Sequence, residues 1–142
     1  MRLVLDASMA LAWHLTRSNP DEAGLAQEAL SVIMERGAVV PHLWFPEVAN
    51  AILIAERHGV SDPPGSSVFR ADLDTLPILT DTTYPQVVQG ELVKLGRAHQ
   101  LTAYDATYLE LALRKAATLA TFDRRLAAAC REAGVAVFGD GG

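Results

Sequence analysis

The chain has 142 residues, half of them apolar and a fifth charged, with a formal net charge of -5, a balance that suits one globular domain, residues 1–142, able to bury a core. The acidity excludes a protein that coats duplex with a basic face, although an acidic cleft filled with divalent cations would still accept nucleic acid. One cysteine, Cys130, excludes an internal disulfide and fits a reducing cytoplasm, and no basic start with a long apolar segment behind it predicts a signal peptide or a membrane span.

Leu3-Val4-Leu5 is a short uninterrupted apolar run, the pattern of a strand buried on both faces, and Asp6-Ala7-Ser8 follows with groups that open a helix. An acid at the carboxyl end of a strand stands where open α/β sheets bind ligands. Asp6 and Ser8 are equally good helix caps, and on this stretch alone both readings stay open. Residues 9–13 read as a short buried helix, and Ser18-Asn19-Pro20-Asp21 starts an amphipathic helix over 21–36, closed by Gly37. Residues 38–41 form a second strand. A third helix follows Leu43, with Val48, Ala49, Ile52, Leu53 and Ala55 as its apolar stripe and Glu47 and Asn50 three apart on another face.

Residues 61–65 read as a loop, 68–76 as a helix and 77–79 as a third strand. Asp81-Thr82-Thr83 is expected to cap a long helix reaching His99, and residues 101–105 open the next one. Residues 118–121 make a fourth strand running into Phe122-Asp123, 126–133 the last helix, 135–138 a fifth strand, and 139–142 a tail expected to fray. Strands alternating with helices predict an α/β fold of three layers, a parallel five-stranded sheet with helices on both faces and Leu3-Val4-Leu5 at its centre.

Two acids, Asp6 and Asp123, then stand at strand-to-helix turns, while Glu47 and Asp105 stand in the first turns of helices. A doubly wound fold can crowd such positions onto one sheet edge. At about 5 Å and an effective dielectric near 20, each pair of charges costs roughly 3 kcal/mol, so the cluster demands protons or a divalent cation. Oxygen-only donors select Mg²⁺ or Mn²⁺, ions suited to phosphodiester hydrolysis.

Four blocks, in order along essentially the whole chain, carry a resemblance: residues 5–8 (Leu-Asp-Ala-Ser), 46–51 (Pro-Glu-Val-Ala-Asn-Ala), 101–109 and 119–126. The sequence resembles the PIN-domain ribonucleases, and specifically the VapC-type toxins of bacterial toxin–antitoxin pairs. The resemblance implies a PIN-like fold and an acidic quartet of Asp6, Glu47, Asp105 and Asp123, supported by Ser8, Asn50 and Thr121. It also implies Mg²⁺- or Mn²⁺-dependent endoribonuclease activity with one or two ions, an RNA substrate, homodimerisation and neutralisation by a small cognate antitoxin. Glu110 departs from the family, which often has a small or apolar residue there, and reads either as an outer acid or as a solvent-facing group.

Arg124 and Arg125 follow a quartet acid directly, where phosphate contact competes with a surface ion pair. His14, His42, His58 and His99 lack a paired i, i+4 spacing, which argues against zinc. Trp13 and Trp44 read as core or dimer anchors, and an apolar segment of a partner is expected to lie near them. Two rivals keep other chemistry in view: a catalytically silent PIN scaffold acting as a binding module, and an aspartate-nucleophile phosphatase. The phosphatase wants a second acid two residues after Asp6, where the chain has Ser8.

Overall fold

The structure is a computed structural model that describes residues 2–141. Its sheet contains β1 (Leu3–Leu5), β2 (Ala38–Val40), β3 (Ile78–Thr80) and β4 (Thr118–Ala120), all parallel and in the order β3-β2-β1-β4. Every residue of β1 is 0 % exposed, and its neighbours in register, Leu119 and Ala120, are also fully covered. Side chains of consecutive strand residues point to opposite faces, so helices cover both faces of the sheet at β1 and β4.

The expected fifth strand is reduced to a single parallel bridge between Leu119 and Val137, with the Leu119 N–H donating to Ala136 at 2.9 Å and the Phe138 N–H to Leu119 at 2.8 Å. Gly134 (φ 81°) and Gly139 (φ 99°) turn the chain on either side, leaving no length for a ladder. With the bridge counted, β1 holds the central position. The tail is anchored as far as Asp140, whose carboxylate accepts from Arg131 at 2.7 and 2.9 Å, so fraying does not begin at residue 139.

The helices are α1 (Ala7–Leu11), α2 (Pro20–Arg36), α3 (Trp44–Arg57), α4 (Pro63–Asp74), α5 (Pro85–His99), α6 (Ala103–Lys115) and α7 (Arg124–Glu132). Asn19 caps α2 by accepting from the Asp21 and Glu22 N–H groups. α4 starts five residues before the expected position 68, because Asp62 accepts from the Gly65 N–H and the two prolines occupy the first turn, where a missing N–H costs nothing. α6 packs on β1 and β4, and α1 packs on α3. Cys130 is fully buried and its thiol is pushed up to about 12, chiefly by burial, as suits a small core residue.

Asp81 does not cap α5, which begins at Pro85 without a side-chain cap. Its two carboxylate oxygens instead accept from Arg114 at 3.0 and 2.7 Å, and the same guanidinium donates to Glu110 at 2.8 and 2.9 Å. Glu110 is thus neither an outer acid nor solvent-facing: it is 7 % exposed and, with Asp81, clamps α6 to the segment after β3. These bonds from Arg114 hold the Asp81 carboxyl below its ordinary value of 3.8. Asp81→Asn is therefore expected to lower stability by about 1 kcal/mol at neutral pH. A group with a depressed folded value stabilises above the unfolded value and loses that contribution as pH falls through the folded one. Urea titrations of wild type and variant should accordingly converge below the ordinary carboxylate range; a gap that persists in acid would contradict the clamp.

Candidate active site

β1 and β4 are adjacent and parallel, so their carboxyl ends deliver Asp6 and the segment Thr121-Phe122-Asp123 to the same edge. The Asp6 N–H continues the ladder by donating to Ala120 at 3.0 Å. The Asp6 carboxylate makes no capping bond to α1, so the capping reading of this residue is not the one the fold uses. It is 7 % exposed and accepts from the Thr121 hydroxyl and, at 2.9 Å, from Ser8. Thr121 also accepts from the Asp123 N–H at 2.9 Å, and Ser8 from the Phe122 N–H at 2.9 Å. Two short hydroxyls therefore tie the two strand ends into one unit.

Asp123 is the N-cap of α7, its side chain accepting from the Leu126 N–H at 3.1 Å. Asp105 sits in the first turn of α6, where Thr102 caps its N–H and leaves its carboxylate free of that duty. Glu47 occupies the first turn of α3 and accepts from the Tyr108 hydroxyl. Tyr108 is 1 % exposed, and burial and the Glu47 bond push its phenol well above the usual range.

Three of the four acids are raised, and the charge of Asp123 acts on two of them. Burial raises Asp6 above 3.8 against the bonds from Thr121, Ser8 and the Ala7 backbone, and the charge of Asp123 adds to the rise. Glu47 is raised first by burial and then by Asp6 and Asp105, against the bond from Tyr108. Asp105 is raised by burial and by Asp123 and Asp6, while Arg125 and Thr102 oppose. Among the described residues no three His, Cys, Asp or Glu side chains close on one point as a finished cation cage. The donor set still fits a hard divalent cation: it is all carboxylate, and Asp6, Glu47 and Asp105 hold protons more tightly than usual through burial and neighbouring negative charge.

Asn50 is exposed and forms no hydrogen bond with these acids among the described residues. Arg124 and Arg125 are exposed and, among the described residues, pair with no acid, although Arg125 lowers Asp105 electrostatically. Arg17 lies over the Phe122 ring at 4.2 Å and pairs with Glu22 at 2.8 Å, bracing the turn that carries Asp123. Trp44 is buried and the half-buried Trp13 donates from its indole to Ala26 at 2.8 Å, so both pack into the core. The open apolar surface beside Ser8 is instead a cavity of about 360 Å³ lined by Leu11, Leu15, Ala51, Ile54 and Val60.

Tyr108 escaped the sequence reading, although its i, i+3 spacing from Asp105 placed it on the same side of α6. Tyr108→Phe is expected to keep the fold and to lower RNA cleavage about 10- to 100-fold by releasing Glu47. The Mn²⁺ concentration for half-maximal rate should rise with it. Unchanged Mn²⁺ dependence would leave Tyr108 a packing residue only.

The PIN domain family matches residues 3–132. Ribonuclease VapC1 of Mycobacterium tuberculosis is 37% identical over 111 residues, covering 74% of this chain and 81% of the relative. Ribonuclease VapC9 of the same organism is 35% identical over 124 residues, covering 87% of each. PAE2754 from Pyrobaculum aerophilum shares the fold with a TM-score of 0.68 at 23% identity, over 91% of this chain and 87% of that one. FitAcB from Neisseria gonorrhoeae does so with a TM-score of 0.64 at 16% identity, over 96% of both. With the family matched along nearly the whole fold and curated ribonucleases above a third identical, the chain belongs to the PIN-domain family as one of its VapC-type members.

Proposed function

We propose that the protein is a Mg²⁺- or Mn²⁺-dependent endoribonuclease that hydrolyses RNA phosphodiester bonds in the cytoplasm as the toxin of a toxin–antitoxin pair. The observation that supports it most is that Asp6, Glu47 and Asp105 are all raised, first by burial and then by one another's charge and that of Asp123. These four would hold the cation, which when bound activates a water and neutralises charge developing on the phosphate oxygens. Thr121 and Ser8 fix the direction of Asp6, and Tyr108 fixes one oxygen of Glu47, leaving its other oxygen available. Arg124 and Arg125, exposed beside Asp123, are placed to meet backbone phosphates of the substrate.

Attack by water, rather than by the ribose 2′-hydroxyl, leaves no 2′,3′-cyclic phosphate. Mass spectrometry of the cut ends is expected to find that group absent, and its presence would defeat the hydrolytic reading. As in the resemblance, the active form is a homodimer and its antitoxin a small protein. An arginine or lysine of the antitoxin, placed among the four acids, would exclude the cation and the phosphate together. An apolar segment beside it would cover the Leu11, Ile54 and Val60 groove, where most of the affinity would arise. The complex should therefore weaken as Mg²⁺ is raised at constant ionic strength, read by calorimetry; indifference to Mg²⁺ would place the antitoxin elsewhere.

A further inference from the structure

We propose that the groove between α5 and α6, closed by residues 41–43 ahead of α3, is a nucleobase pocket, holding one unpaired base of the RNA beside the cleavage site. The proposal rests on the ribonuclease reading and names a substrate contact for it. The cavity measures about 250 Å³, with Leu43, Val88, Leu92 and Leu111 among its walls. That is below the roughly 300–1,000 Å³ of pockets for drug-sized ligands, and it suits a single flat heterocycle.

The charged floor excludes a phosphate as the occupant. Arg114 has five N–H donors, and all are engaged: Nε with Glu110, Nη1 with Asp81 and Thr83, and Nη2 with Asp81 and Glu110. The remaining charges there are carboxylates, which repel an anion. A neutral base meets no such penalty, and the clamped guanidinium keeps the pocket's shape fixed.

Tyr104 supplies the stacking surface. It lines the groove, is 65% exposed, and directly precedes Asp105 on α6. Bases splayed from single-stranded RNA are held by such rings. The place of the groove follows from the same turns: Leu43 precedes the turn of α3 that carries Glu47, and Ala103 and Tyr104 belong to the turn of α6 that carries Asp105. The Tyr104 end of the groove thus lies one residue from Asp105, and a base stacked on that ring is expected to leave its neighbouring phosphate on the side of the four acids.

The first arm of the test titrates the four uncharged nucleosides into ¹⁵N-labelled protein in chelator. Shifts at Tyr104, Thr107 and Val88 are expected, with one base preferred. Tyr104→Ala should weaken binding about 5- to 100-fold, whereas Tyr104→Phe keeps it. The second arm maps cleavage of a random RNA pool in Mn²⁺ by wild type, Tyr104→Ala and the groove-filling Val88→Trp. Both variants should lose base preference at one position flanking the cut and raise KM. Nucleosides that leave the groove unshifted, or an unchanged preference in Tyr104→Ala that still cuts, overturn the pocket and spare the ribonuclease. Tyr104-dependent nucleoside binding without any cleavage does the reverse. Variants that dissociate a dimer in sedimentation while preference persists would show a second copy covering the groove, and would equally overturn it.

Discussion

Asp6→Asn is expected to reduce RNA cleavage by at least about 100-fold while the metal-free protein melts at a higher temperature than wild type. The exchange preserves shape and keeps an acceptor for Ser8 and Thr121, but removes the most buried charge of the cluster. Because the folded state raises the Asp6 carboxyl above its ordinary 3.8, ionising it costs folding free energy. That cost grows as pH rises from the unfolded value towards the folded one and stays constant above it. Wild type in chelator should thus gain stability as pH is lowered through this window, and the Asn variant should lack that part of the gain. Added Mn²⁺ should stabilise wild type more than the variant. Loss of activity accompanied by a lower melting temperature would point to a structural Asp6 instead.

Thr121→Val is expected to cost about 2 kcal/mol of stability and about 10- to 100-fold in cleavage. The side chain is 5 % exposed and nearly isosteric with valine, so packing is kept while the hydroxyl is lost. Its removal strips Asp6 of a donor and leaves the Asp123 N–H without its acceptor, loosening two acids together. Thr121→Ser restores the hydroxyl and should recover the rate. Denaturant titration and initial rates on one RNA read both effects, and a Ser variant as inactive as the Val variant would remove the hydroxyl from the account.

Local sequence exposed what local chemistry determines. Leu3-Val4-Leu5 followed by Asp6 is legible as a buried strand and the turn that ends it, although that stretch alone left Asp6 equally a helix cap, and Thr102 before Asp105 announces the start of α6. Pairings across the chain were not legible. Asp81 looked like a cap because its partner Arg114 stands 33 residues away; Glu110 pairs with Arg114 one helical turn on, and read as an outer acid or a solvent-facing group because the distant Asp81 that completes the clamp was not visible. Glu47 and Tyr108 are 61 residues apart and meet only once α3 and α6 flank the sheet edge. Residues 135–138 carry a strand's composition, yet the turning glycines 134 and 139 cut the ladder to one bridge.

Cleavage mapping on total RNA with purified protein, in Mn²⁺ and then in chelator, tests the central claim most directly. The account predicts discrete cuts by wild type in Mn²⁺, their disappearance in chelator, their return when Mn²⁺ is restored, and none from Asp6→Asn. Cuts that persist in chelator and in Asp6→Asn would contradict the four-acid site. No cut under any condition, from a protein harmless when expressed, would leave a PIN scaffold that binds without catalysing.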